Sequence, residues 1–357
     1  MQHSQHLYHT VLTQISDHCA TERVTRQRNL ALIVTALYLA ASCQLTRLAD
    51  RLHVAGTRDS RVQRVRRFLM NERVMIRECY QATARAILSR LSTQRIVLIF
   101  DRTMIEDHLN VLTLCVAYRG RALPLAWKVL KKPGQYQRCH LEALLRWVAR
   151  QMPAAARSVW VVGDREFQAI ALQTMIETEL GWNYVQRVTH NLWLYPARGA
   201  AFQPSQLGLR PGQQRVCRHV RVTRQQAGPA HFLAYWAKGE DEPWYLLSNR
   251  PVGRETLHVY NRRSWIEPMY RDFKSYGWCL EASRITNPKR FAHLLLALAL
   301  AYVWLIQLAS QVVHRGWRRF VDRTRKRTLS YFRIGWNWLL RLLDRAQQIA
   351  LPNSLYV

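Results

Sequence analysis

Two short runs of branched apolar residues, each stopping at an aspartate, constrain this chain more than any other feature. RIVLIF (residues 95–100) runs into Asp101, and SVWVVG (residues 158–163) runs into Asp164. Runs this short and this apolar predict buried strands. Between them, VLTLCVAY (111–118) and ALPLAWKVL (122–130) flank an Arg119-Gly120 turn, which predicts a hairpin extending the same sheet. KKPG (131–134) reads as a loop, residues 141–150 and 167–180 have helical periodicity, and WNYVQRV (182–188) reads as a further strand. Strand-Asp, hairpin, helix, strand-Asp, helix, strand is an α/β order. Carboxylates at strand ends are where open α/β sheets place their chemistry.

Composition says what such a site would meet. The 357 residues carry a formal net charge of +30, with 53 Lys and Arg against 23 Asp and Glu. A compact fold with that charge repels itself unless a polyanion neutralises it. Nucleic acid is the first candidate, because Lys and Arg contacts to phosphate supply most non-specific affinity. An anionic membrane surface fits less well, since the charge is spread along the whole chain. With 49% hydrophobic and 21% charged residues the chain is globular rather than disordered. The seven cysteines are widely spaced and form no CxxC pair, so neither a zinc ribbon nor a disulfide framework is expected. MQHSQHLYHT is too polar for a signal peptide. Residues 293–313 are long enough to span a membrane, but Gln307, Ser310 and Gln311 interrupt them and arginines flank them, which predicts a buried central helix.

Residues 1–90 read as a helical N-terminal domain. An apolar segment (31–41) and QLTRLADRL (44–52) precede a break at Gly56, and a helix follows over 60–70. Val62, Val65 and Leu69 share one face of that helix, and Arg61, Arg64 and Arg67 line another. Helix, Gly-bearing turn and arginine-faced helix resemble a helix-turn-helix DNA reader. Residues 190–251 contain several Pro and Gly residues and short β-like runs, which predicts a β-rich insertion. From residue 255 the chain reads as helical, and residues 315–357 form a basic, Arg- and Trp-rich tail with Leu339, Leu340, Leu342 and Leu343 on an amphipathic stretch.

The third element of a site lies in YNRRSWIEPMYRDFK (260–274). Tyr260, Arg263, Glu267 and Lys274 stand at offsets 0, 3, 7 and 14, within about 60° of one another on an α-helix. One stripe thus holds a carboxylate flanked by two cations and a phenol. Asp101, Asp164 and Glu267 are hard oxygen ligands suited to Mg²⁺ or Mn²⁺ rather than zinc. Two such ions activate a water or hydroxyl and stabilise the leaving oxygen of a phosphodiester. The expected partner is nucleic acid, which the family resemblance of these residues narrows to double-stranded DNA.

These residues resemble a DDE transposase of the bacterial insertion-sequence-four family, whose motif is Tyr-x2-Arg-x3-Glu-x6-Lys. Asp101 with Thr103, and Gly163-Asp164-Arg165-Glu166, suit the two aspartate contexts of that family. The resemblance covers residues 95–310. It implies an RNase H-like catalytic domain (91–314) interrupted by the β insertion, for which the 102 residues between Asp164 and Glu267 leave room. It also implies two Mg²⁺ ions on Asp101, Asp164 and Glu267, and phosphate contacts from Tyr260, Arg263 and Lys274. Trp244 stands where such transposases stack a flipped base during hairpin excision, whereas Ser264 and then Trp265 follow Arg263 where some relatives have Trp at once. Pro268, beside Glu267, lacks the helical N–H. The function implied is cut-and-paste transposition by a cytoplasmic protein acting as a homodimer on inverted repeats and target DNA. The alternatives are a terminal-repeat binder that does not cut and a stand-alone RNase H-like nuclease.

Overall fold

The computed structural model describes residues 2–132, 136–225, 227–345, 347, 349, 351, 352, 355 and 356. The expected loop at Pro133-Gly134 lies outside them. The chain opens with five helices: α1 (Gln2–His18), α2 (Val24–Ala40), α3 (Leu45–Asp50), α4 (Arg58–Leu69) and α5 (Ile76–Leu91). Leu30 through Tyr38 of α2 are all buried, as befits a helix that is apolar all round. On α4, Val62, Val65, Phe68 and Leu69 face inward, while Arg64 and Arg67 are exposed and Arg61 is half-buried. Thr57 caps α4 by accepting from the Ser60 amide at 3.2 Å. Residues 51–57 separate α3 from α4, a longer connection than the roughly three- or four-residue turn of a helix-turn-helix.

A mixed sheet follows: β1 (Ile96–Ile105), β2 (Leu109–Tyr118), β3 (Arg121–Lys131), helix α6 (Arg138–Ala149), β4 (Val159–Gly163), the short helix α7 (Ile170–Thr174) and β5 (Asn183–Arg187). Strand β1 does not stop at Phe100, as its apolar run suggested. It continues five residues beyond, because β2 pairs with it antiparallel from Asp101↔Thr113 to Ile105↔Leu109. The sequence signal ended where β1 stops being buried on both faces, not where its backbone pairing stops.

The β-rich insertion provides β6 (Leu194–Tyr195), β7 (Gln214–Val222), β8 (Ala227–Tyr235) and β9 (Trp244–Ser248). These strands do not form a separate lobe. β9 pairs with β5 (Val185↔Ser248), and the order across all nine strands is β3-β2-β1-β4-β5-β9-β8-β7-β6.

The C-terminal part holds α8 (Arg254–Asn261), α9 (Ile266–Arg271), α10 (Pro288–His314) and α11 (Tyr331–Asp344). Asn287 caps α10 through the Arg290 amide, and Pro288 takes the first helical position, where its missing N–H is no loss. Among the described residues α10 is the one helix long and apolar enough to cross a membrane, and 94% of its most apolar window is buried inside the protein. Its neighbours explain that. Tyr38 of α2 donates to the Ala301 carbonyl at 3.0 Å, and the His293 ring nitrogens lie 3.0 and 3.2 Å from the carbonyl oxygens of Leu69 and Val74. The N-terminal helices, α10 and the tail helix α11 therefore share one apolar core with the sheet. Each fully buried Leu of α10 contributes about 1.5–3 kcal/mol to that core. Helix α11 sits so close to α10 that a Cβ on Gly335 would lie 2.0 Å from the Leu305 carbonyl oxygen.

Candidate active site

The parallel pairing of β1 with β4 aligns the two aspartates. Its last matched pair is Ile99↔Val162, and Asp101 and Asp164 each stand two residues further on. Adjacent strands lie about 4.8 Å apart, so equal offsets set the carboxylates side by side. At Asp164 the chain leaves the sheet, since its carboxylate accepts from the Arg165 amide at 2.8 Å and caps a 3₁₀ turn, Arg165–Phe167. Gln186 on β5 fixes the backbone there by donating to the carbonyls of Gly163 (3.2 Å) and Asp164 (2.6 Å). A Cβ at Gly163 would come within 2.8 Å of the Gln186 side-chain oxygen, so this approach suits glycine.

The segment 260–274 approaches from the other side, but not as one α-helix. After α8, Arg262–Trp265 form a 3₁₀ turn, α9 is α-helical, and Asp272–Tyr276 form a π turn. Pro268 falls in the first turn of α9, where proline is tolerated. A 3₁₀ turn advances about 120° per residue, so the stripe at 100° per residue does not hold along its length. Arg263 and Glu267 remain neighbours. The Arg263 guanidinium stands 3.2 Å from Asp164, 3.9 Å from Asp101 and 3.9 Å from Glu267. Lys274, by contrast, does not reach the carboxylates. It donates to the Met104 carbonyl and pairs with Glu281 at 3.2 Å, three residues past Asp101, or about 10 Å along β1.

Tyr260 stands close enough to Arg263 and Asp164 for both charges to act on its phenol, but it is buried rather than presented to solvent. It is 3% exposed, packs edge-on against Trp244 at 5.1 Å, and burial followed by the Asp164 charge pushes its phenol up to about 12. Trp244 is half-buried at the start of β9 and so lies beside the site, with one edge covered by Tyr260. Trp265 is half-buried under the Arg262 guanidinium, 5.5 Å from its ring centre. Arg61, Arg64 and Arg67 belong to α4 and are not part of this cluster.

A second ring of charges, which sequence reasoning missed apart from Arg165 and Glu166, surrounds the first. Arg187 lies 3.8 Å from Asp164 and 2.6 Å from Glu242, which also binds Arg165 at 2.9 Å. Arg102 pairs with Glu166 at 2.9 Å, and the Tyr270 hydroxyl donates to the Asp101 carbonyl at 3.3 Å. Arg187, at the end of β5, and Glu242, in the connection between β8 and β9, are 55 residues apart, and no local spacing announces them.

The carboxylates are not equivalent. Asp101 is pushed up to about 6, chiefly by burial; the Arg102 amide and Arg263 hold it down, and the charges of Glu166 and Asp164 push it further up. The Glu267 side chain is 57% exposed, against 16% for Asp101 and 24% for Asp164. Burial works against the charge on Arg263, yet Asp164, Tyr260, Asp101 and Glu267 together hold it above the ordinary arginine value. Three carboxylates thus share Arg263, with Arg187 a second, more distant partner of Asp164. Among the described residues no group of three or more His, Cys, Asp or Glu is placed to hold a metal ion, and the Arg263 guanidinium stands between these three carboxylates. Their donor chemistry, hard oxygens directed at one cation, fits a divalent ion.

Acids on adjacent parallel strands, closed over by an Arg-x3-Glu helix within a highly basic molecule, suit an enzyme of polynucleotide phosphoryl transfer. Residues 92–304, more than half the chain, match the family model described as "Transposase DDE domain", and the chain belongs to that family. It is a DDE transposase, and its business is DNA transposition. Among solved structures it is similar to a piggyBac transposase synaptic complex with hairpin DNA, at 12% identity and a TM-score of 0.47, covering 100% of this chain and 84% of that one. At that level the likeness supports no functional inference. No curated protein matches the chain.

Proposed function

We propose that this transposase mobilises an insertion sequence of the insertion-sequence-four family by cutting and pasting. Residues 91–314 act as an RNase H-like catalytic domain, with residues 190–251 inserted. The helices of residues 1–90 take up the terminal repeats, with Arg61, Arg64 and Arg67 of α4 as phosphate contacts, and residues 315–357 form the tail. The observation that carries this reading is the equal offset of Asp101 and Asp164 beyond the last β1–β4 pair, with Glu267 joined to both through Arg263.

In this reading Asp101, Asp164 and Glu267 hold two Mg²⁺ or Mn²⁺ ions, which when bound supply Lewis-acid stabilisation of the attacking and leaving oxygens. Arg263 must then leave the carboxylates, and its planar fork is suited to a DNA phosphate. Water attacks the phosphodiester at the element end, releasing a 3′-hydroxyl. That hydroxyl attacks the opposite strand to close a hairpin, which a second water reopens, and the same 3′-hydroxyl later attacks target DNA. Trp244 stacks the base expelled from the hairpin, and Tyr260, packed on it, sets its ring. Lys274 serves the DNA only after exchanging Glu281 for phosphate. The protein works as a homodimer on DNA in a bacterial cytoplasm.

The test is Mg²⁺-dependent cleavage of a duplex carrying the inverted repeats that flank the gene. We expect Asp164→Ala to reduce cutting by at least about a hundredfold, the scale for losing one group directed at transition-state charge, with end binding nearly unchanged. Normal cutting by that variant would overturn the site. A second reading, a terminal-repeat binder without nuclease activity, draws on the guanidinium occupying the carboxylates. Wild-type protein that binds ends and never cuts would establish it.

A further inference from the structure

Beyond the C-terminal end of α10, aromatic rings and guanidinium groups alternate on the surface. Trp317 and Trp338 stack with ring centres 5.4 Å apart at 17°, and the Arg315 guanidinium lies 4.8 Å from the Trp317 ring. Phe320 is 45% exposed, although it is large and apolar. It has Arg319 and Arg341 each 5.1 Å from its ring. On one side of Phe320 is an open groove of about 520 Å³ lined by Leu308, Gln311, Arg315, Trp317 and Trp338, and on the other a groove of about 340 Å³ reaching Leu340 and Arg345.

The segment that follows is built to display charge. Asp322, whose side chain is 1% exposed, pairs with Arg318 and accepts from the Arg323, Thr328 and Leu329 amides and the Thr328 hydroxyl. These bonds outweigh burial and hold its carboxyl well below the usual range. One buried carboxylate thereby folds the loop 322–329, on which Arg323, Arg325, Lys326 and Arg327 are exposed. The transposition chemistry proposed above uses none of these residues.

We propose that this surface binds unpaired nucleotides of DNA, bases stacking on Phe320 and entering the Trp317–Trp338 groove while the loop 322–329 meets the phosphates. Base–aromatic stacking beside a cationic track is how single strands are held without sequence preference. A polyanion is favoured over a second copy of this chain, because two such faces would set the same arginines against each other. The inference rests on DNA as substrate but not on the carboxylate assignment.

The test uses the full chain and a fluorescent oligothymidylate of roughly sixteen nucleotides, the long end of the site sizes known for single-strand binders. Phe320 is exposed, so Phe320→Ala should melt as wild type does. We expect it to weaken oligothymidylate binding about 5- to 150-fold, the cost of one lost base–aromatic stack, with blunt-duplex binding changed less than about twofold. Phe320→Trp should retain affinity. An oligonucleotide carrying 5-bromodeoxyuridine should photocrosslink to residues 317–320 in wild type and in Asp164→Ala alike, which separates this surface from the cutting site. Absence of crosslinks there overturns the proposal. So does an equal loss for single strands and duplex, which means charge alone. A variant that loses only self-association in sedimentation, or only binding to anionic phosphatidylserine vesicles, overturns it in favour of a chain–chain or membrane contact.

Discussion

Two arginine–carboxylate clusters in this protein differ in which charge is in excess. At the candidate active site one guanidinium, Arg263, faces Asp101, Asp164 and Glu267. At the π turn following α9 one carboxylate, Asp272, pairs with Arg121 at 3.1 Å and also feels Arg333 and Arg271. Burial raises a carboxyl in both places, Asp101 to about 6 and Asp272 to about 7. The second cluster already has more cations than it needs. The first sets three carboxylates against Arg263 and the more distant Arg187, a local surplus of negative charge inside a molecule of net charge +30 that favours taking up a further cation.

The largest effect that separates the clusters is the loss of each arginine. Arg121→Met leaves Asp272 buried without its partner, and we expect a destabilisation of about 3–5 kcal/mol by urea unfolding, unaltered by Mg²⁺. Arg263→Met should cost less and should be offset by millimolar Mg²⁺, read as a rise in melting temperature that wild type shows more weakly. Equal behaviour of the two variants with Mg²⁺ would break the contrast.

Next comes pH. A carboxyl raised in the folded state prefers the folded protein when protonated. Its contribution is therefore complete below the unfolded value of about 3.9 and is lost as pH rises through about 6 for Asp101 and about 7 for Asp272. Asp272→Asn removes the upper part of that loss, so its urea midpoint should gain on wild type between pH 5 and pH 8. A difference that stays constant over that range would show that Asp272 is not raised. The smallest effect belongs to Lys274. Its ion pair with Glu281 is partly exposed, so Lys274→Ala should cost at most about 1 kcal/mol and leave Mg²⁺ binding by the free protein unchanged. A shift in that binding would place Lys274 with the carboxylates after all.

What could be read in the sequence was what depends on neighbours along the chain. The runs ending at Asp101 and Asp164 form strands because consecutive branched apolar residues suit a strand buried on both faces. The uninterrupted apolar stretch of α10 could likewise be read as a core helix. The polar half of β1 could not, since residues 101–105 are held by pairing with β2 rather than by their own burial. The parting of Lys274 from Arg263 arises from a 3₁₀ turn and a π turn, which no spacing rule at 100° per residue foresees. Arg187 reaches the site because β5 pairs with β4, and Glu242 because the insertion joins that sheet through β9, long-range pairings that leave no local trace.

That joining makes the sheet a measuring device. From β4, which delivers Asp164, to the edge strand β6 there are five strand-to-strand steps, about 24 Å at the ordinary spacing. Exposed Arg215, Arg218 and Arg221 of β7 lie one step nearer. Because every step is hydrogen-bonded, these arginines are set at a fixed span from the carboxylates. Four steps from β4 to β7 amount to about 19 Å. The outer strands of the insertion and the two aspartates thus belong to one continuous hydrogen-bonded frame, so neither shifts without the other.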